Sequence, residues 1–66
     1  MQINWYTIES QRESADFSDA KTIGEFSDVR VATAHLVDLS RSVRCHRLIG
    51  WLDLGGMRSP VELARV

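Results

Sequence analysis

Leu48-Ile49-Gly50-Trp51-Leu52-Asp53-Leu54-Gly55-Gly56-Met57-Arg58-Ser59-Pro60-Val61-Glu62-Leu63 is the stretch on which the reading of this chain turns. Gly55-Gly56 suits a two-residue hairpin turn, because both central positions take positive φ and glycine does so at little steric cost. Folding the segment there sets Leu54 opposite Met57, Asp53 opposite Arg58, Leu52 opposite Ser59, Gly50 opposite Val61 and Leu48 opposite Leu63. One face of the ribbon then carries Leu48, Leu52, Leu54, Met57, Val61 and Leu63. The other pairs Asp53 with Arg58 and brings Ile49 near Glu62. A single register that gathers the aliphatics and also opposes unlike charges is a stronger argument than propensity. Pro60 falls on the outer strand, where a missing N–H is tolerated. A competing reading opens a last helical turn at Ser59-Pro60-Val61-Glu62 through a capping box. The hairpin is preferred.

Upstream, Val29, Ala32, Leu36, Leu39 and Val43 recur at spacings of three and four, which predicts one apolar stripe on a helix. Ser27 is the expected N-cap, with Asp28 in the first turn and Arg41 and Arg44 complementing the dipole near the C-terminal end. Val29, Val31, Thr33, His35 and Val37 also alternate as a strand would. That strand would be apolar on both faces, and so short a chain has little to cover it. Ile3 to Ile8, with Trp5 and Tyr6 inside, predicts a strand, and Glu9 to Ser14 a turn. A second strand is expected within residues 15–26 on the anchors Phe17, Ile23 and Phe26. The alternative there is a short helix from Ser18 to Phe26, which Gly24 weakens. The assembled expectation is a small α+β domain over residues 1–66, in the order ββαββ, with two antiparallel hairpins packed around one central helix.

At 66 residues the chain has material for one core only. Its 44% hydrophobic and 26% charged content is that of a folded globule. Cys45 is the single cysteine, so no disulfide forms within the chain, which suits a reducing cytosol or simply a buried small hydrophobe. The N-terminus lacks the basic and apolar regions of a signal peptide. The longest apolar run, Leu48 to Leu52, is far below the roughly 20 residues that span a bilayer. A cytoplasmic protein with no membrane partner is expected.

Chemistry-bearing patterns are sparse. Cys45-His46 offers too few ligands for a metal site and no CxxC or HxxxH spacing. On a strand these neighbours point to opposite faces, so His46 is badly placed as a base for Cys45. His35 and Asp38 lie three apart but have no positioned serine to serve. Gly55-Gly56 matches no phosphate-binding loop. No catalytic residue, metal or cofactor is expected, and the chain does not read as an enzyme.

Charge is the more telling feature. Residues 1–38 carry seven acids against three bases, a balance of −4, and residues 39–66 carry two acids against five arginines, a balance of +3. A split of this kind bears on partners and steering. Glu9, Glu13, Asp16, Asp19, Glu25 and Asp28 fall within 20 residues and form the candidate partner-binding surface, a row of carboxylates able to engage a basic groove. Arg41, Arg44 and Arg47 form the opposing candidate, a phosphate-contacting cluster. A pI near 6.0 and the lack of a nucleic-acid motif count against it.

In general type the chain resembles the small phage-encoded anti-CRISPR proteins: a very short cytosolic α+β chain with no catalytic motif and a concentrated acidic segment. Phe17-Ser18-Asp19-Ala20-Lys21 is similar to a segment that opens a helix in some members, which favours the short-helix alternative. The resemblance implies a protein-binding inhibitor in the host bacterial cytoplasm. Its partner would be the basic DNA-binding surface of a multi-subunit CRISPR effector, a type I surveillance complex above others. Glu9, Glu13, Asp16, Asp19, Glu25 and Asp28 would then act as an acidic DNA mimic, with no direct nucleic-acid binding and a monomer or weak dimer as the unit. Steric blocking through Trp5 or Trp51 is the other route. The alternatives in other classes are a small nucleic-acid-binding regulator using Arg41, Arg44 and Arg47, and an accessory protein that self-assembles through an exposed hairpin edge.

Overall fold

The computed structural model describes residues 3–11 and 20–66. Their order is β1 (Ile3–Gln11), β2 (Lys21–Phe26), α1 (Val29–Leu39), β3 (Cys45–Leu54) and β4 (Met57–Arg65). The class is α+β and the order of elements is ββαββ, as expected. The hairpins do not stand on either side of the helix, however. They join edge to edge into one antiparallel sheet with the order β2-β1-β3-β4, and α1 lies on one face of it. The reason is that β1 and β3 complement each other along their whole length. Trp5 pairs with Trp51, Thr7 with Ile49, Ile8 with Leu48 and Glu9 with Arg47. One shared sheet satisfies the inner edges of both hairpins, which two separate ribbons would leave unpaired.

The β3–β4 turn has the predicted geometry, with φ of +62° at Gly55 and +92° at Gly56. The expected register holds from Leu54↔Met57 to Ile49↔Glu62, and Pro60 sits on the outer strand, so the capping-box alternative is ruled out. Beyond that a bulge intervenes, and Leu48 pairs with Ala64 rather than Leu63. The bulge frees Leu63 to lean over Gly50. A Cβ built on Gly50 would lie 2.8 Å from Ile3 Cδ1 and 3.1 Å from Leu63 Cδ1. The missing side chain in the middle strand thus lets β1 and β4 touch across it.

Strand β1 runs three residues past its predicted end, through Glu9, Ser10 and Gln11, where a turn was expected. Glu9 and Ser10 are held by arginines: Arg47 Nε donates to Glu9 Oε1 at 2.5 Å, and Arg44 Nε donates to buried Ser10 at 2.7 Å. Lys21–Phe26 is a strand, which overturns the short-helix alternative for that part of the chain. Tyr6↔Phe26 and Ile8↔Gly24 place the Phe26 ring over Gly24 on the helix side of the sheet.

The helix begins one residue later than expected, with Asp28 rather than Ser27 as N-cap. Asp28 has extended backbone angles and its Oδ1 accepts from Arg30 N at 2.8 Å, while its carbonyl accepts the first helical bond from Ala32. A carboxylate in that position satisfies an orphan N–H and complements the dipole, a cap worth about 1 kcal/mol. The helix ends at Leu39, so Val43 leaves the predicted stripe and stands 98% exposed. Serine hydroxyls drive the exit: Ser40 Oγ donates to the Val37 carbonyl at 2.6 Å, and Ser42 Oγ accepts from Arg44 N. Arg41 and Arg44 therefore lie past the last turn, not in it. Ala32 and Leu36 pack on Ile8 and Leu48 to make the core, with Tyr6, Phe26 and Leu39 around it.

Coverage of the sheet is partial. Eleven helical residues extend about 16 Å, whereas ten residues of β3 extend about 33 Å. The helix rests on β1, β2 and β3 and does not reach β4. No described helix is long and apolar enough to cross a membrane.

Candidate functional site

The sequence set six carboxylates forward as a binding surface. Glu13, Asp16 and Asp19 lie outside the described residues. Of the other three, two have structural work to do. Glu9 is drawn into an ion pair with Arg47, whose Nη1 also lies 3.6 Å from Glu62 Oε1. Arg47 on the central strand thus links β1 to β4, and the partly shielded pair contributes about 1 kcal/mol or less. Asp28 caps the helix. Glu25 remains exposed on β2. The row of carboxylates is thus reduced among the described residues to one free-standing member, because cross-strand arginine and an orphan helical N–H compete for acids more strongly than solvent does.

The opposing basic cluster is divided in the same way. Arg44 holds Ser10 and Arg47 holds Glu9, leaving Arg41 exposed in the turn after the helix. Cys45 is half-buried and unpaired. His35 does not meet Asp38; its ring tilts against Phe26, with centroids 5.4 Å apart.

On the sheet face away from the helix the sequence reading missed a grouping. Trp5 and Trp51 are cross-strand partners, and their rings stack nearly parallel, 6° apart with centroids at 5.8 Å. The indole N–H of Trp51 donates to Thr7 Oγ1 at 2.8 Å, which fixes the ring on a buried hydroxyl. The Arg58 guanidinium lies over Trp5, 5.5 Å from the ring centroid, a cation–π contact. The register does set Asp53 opposite Arg58, as expected. Yet Asp53 Oδ1 accepts from Gly56 N at 3.1 Å and so braces the turn, which leaves Arg58 to the indole. Glu25, in register with Thr7, lies on the same face. The result is an aromatic platform with the Arg58 guanidinium on it and the Glu25 carboxylate on the same face. Its signal was present in the sequence, but only to a reader who paired β1 with β3.

Among the described residues His46 is the one buried titratable group with a displaced pKa. It is 2% exposed, and its Nδ1 has no hydrogen-bond partner among the described residues. Burial and then the nearby Arg44 charge hold its pKa below the usual histidine value of 6.5, only partly opposed by the Arg44 backbone. The neutral ring is the form that fits the fold. A lowered folded pKa means the unfolded chain takes up its proton first, at about pH 6.5. The contribution to stability is therefore complete above that pH and disappears as pH falls toward the folded pKa. In chemical denaturation between pH 7.5 and 5, wild type should lose stability, and His46→Phe should show a flatter profile. Parallel profiles would place the acid sensitivity elsewhere.

Among the described residues no three His, Cys, Asp or Glu side chains gather as a metal site would require. Compared with known proteins, the chain matches no family model, no curated protein and no solved structure.

Proposed function

We propose that this chain is a non-enzymatic protein-binding inhibitor of a nucleic-acid-handling complex, docking through the helix-free sheet face centred on Trp5, Trp51 and Arg58. The observation that carries the reading is the Trp5–Trp51 stack with Arg58 over it. Tryptophan and arginine are the residue types that dominate interface energetics, and here they come already ordered, so little side-chain entropy is lost on docking. The target class rests on the resemblance to anti-CRISPR proteins, with a type I surveillance complex as the partner proposed. Glu25 on the same face supplies a carboxylate toward a basic surface, together with whatever Glu13, Asp16 and Asp19 add. Blocking by shape and aromatic anchoring is favoured over pure DNA mimicry, since Glu9 and Asp28 are occupied within the fold.

The test is an affinity pull-down from bacterial lysate with mass spectrometry of the retained proteins. It is repeated with competing double-stranded DNA and with Trp5→Ala as bait. Retention of one multi-subunit nucleic-acid complex, released by DNA and lost with Trp5→Ala, is the expected result. Recovery of nucleic acid alone, or equal retention by the variant, overturns the reading.

A further inference from the structure

On the other face, the helix leaves bare β4 and the turn end of β3. Leu54, Met57, Val61, Leu63 and Val66 are exposed there by 53%, 74%, 39%, 41% and 44%. Their common side follows from the register. Leu54↔Met57 and Gly50↔Val61 are partners, Leu63 reaches the space above Gly50, and Val66 exchanges both backbone hydrogen bonds with His46. The helix adds to the surface. His35 meets Phe26 of β2, so the opposite flank, at Val29 and Val37, turns toward the bare part. Both valines are exposed.

We infer that this surface is the interface of a two-fold symmetric homodimer, with the helix-side face of one β3–β4 hairpin seated on that of a second copy. Three observations choose a second copy. The first is charge. Asp53, Arg58 and Glu62 all lie on the platform face, and the helix-side positions Leu54, Met57, Ser59, Val61 and Leu63 include no ionisable group. Two hairpin faces brought together meet no like charges, while a charged partner finds nothing on the hairpin to pair with. The second is area. The exposed apolar surface is on the order of 500 Å² per copy, at the upper end for a lone soluble chain. Two such faces remove about 1,000 Å² from water, where specific interfaces begin.

The third concerns the competing mode, strand addition at the free edge of β4. In a two-residue hairpin the closing pair Leu54–Met57 is hydrogen-bonded, and bonded pairs then alternate. Ser59 and Val61 accordingly face β3, and the backbone groups of Arg58, Pro60 and Glu62 face outward. Pro60 removes the middle donor from that row. Strand addition at β4 is thus disfavoured, and the apolar face beside that edge is the surface that association can cover.

The interface predicts a weak dimer with a dissociation constant in the micromolar range. Sedimentation of the whole chain from 1 μM to 1 mM should show the mass rising from 7.5 kDa to twice that value. Met57→Glu, at the most exposed position of the face, should keep an unchanged circular dichroism spectrum and remain monomeric throughout. In a Cys45→Ala background, Val61→Cys should form a disulfide-linked dimer under mild oxidation. A wild type that stays monomeric at 1 mM overturns the inference. So does a Met57→Glu chain that dimerises as wild type does with no Val61→Cys cross-link. Because the Trp5–Trp51 platform lies on the opposite face, Met57→Glu should still capture the partner complex, so failure of either reading is distinguishable from failure of the other.

Discussion

Ile8→Ala is expected to leave most of the chain unfolded at 37 °C. Among the described residues Ile8 is the one large side chain with no exposure at all, and it lies on the middle of β1 between Gly24 and Leu48, under Ala32 and Leu36. Truncating a fully buried isoleucine costs about 2–5 kcal/mol, from lost transfer energy and the cavity left behind. Collapse around that cavity is hindered, because the sheet backbone fixes its floor and the small Ala32 cannot fill it. A core drawn from so few residues rarely supplies more than about 3–5 kcal/mol in total. The loss therefore matches the whole stability of the domain. In thermal denaturation the midpoint should fall by roughly 15 °C or more, at about 4–8 °C per kcal/mol for a domain of this size. Val37→Ala, at a position 60% exposed, is the control and should shift stability by less than about 0.5 kcal/mol. A midpoint for Ile8→Ala within a few degrees of wild type would mean that the core lies elsewhere.

Ile8 also shows what a linear reading can and cannot find. The β3–β4 hairpin was legible because its determinants are local: two glycines at the turn and side chains paired within one short stretch, Ile49 to Glu62. The bulge at Leu63 was not, since it exists to close Ile3 and Leu63 over Gly50, and Ile3 is on the other end of the chain. The stripe of α1 was legible up to Leu39. Past it, Val43 kept the period while the Ser40 and Ser42 hydroxyls captured backbone groups and ended the helix. The joining of the two hairpins was the consequential choice. It is decided by pairs such as Glu9 with Arg47, 38 residues apart, which no window of sequence contains.

The same distance explains the candidate site. A count of carboxylates treats each as available to a partner, yet Glu9 and Asp28 find partners inside the fold once it forms. Conversely Trp5 and Trp51, each readable alone as a core residue or an exposed anchor, become a platform only through the β1–β3 register. Charge patterning survives folding as a statement about net field. It does not survive as a list of contact residues, because the fold spends charges on caps and cross-strand pairs first.

Trp51→Ala and Trp5→Ala should separate the two jobs of that platform. Both lose the stack, worth about 0.5–1.5 kcal/mol beyond area. Trp51→Ala also removes the donor to Thr7 and strips cover from Ile49 beside it, and Thr7 and Ile49 are 4% and 2% exposed. Leaving a buried hydroxyl short of its partner costs about a further 1–3 kcal/mol, less where water enters to replace the indole. Trp51→Ala is therefore expected to lose about 3 kcal/mol, a large share of the total, whereas Trp5→Ala, with no hydrogen bond from its indole among the described residues, should lose closer to 1 kcal/mol. Urea denaturation of both variants measures the difference. If the proposed docking face is right, the order reverses when binding is read instead: Trp5→Ala stays folded yet loses the partner by at least about 30-fold, the scale of an interface hot spot. Arg58→Ala should follow Trp5→Ala in binding, since its guanidinium sits on that ring and leaves the fold untouched. Equal losses of stability in the two tryptophan variants would deny Thr7 its anchoring role, and full retention of the partner by Trp5→Ala would move the contact off this face.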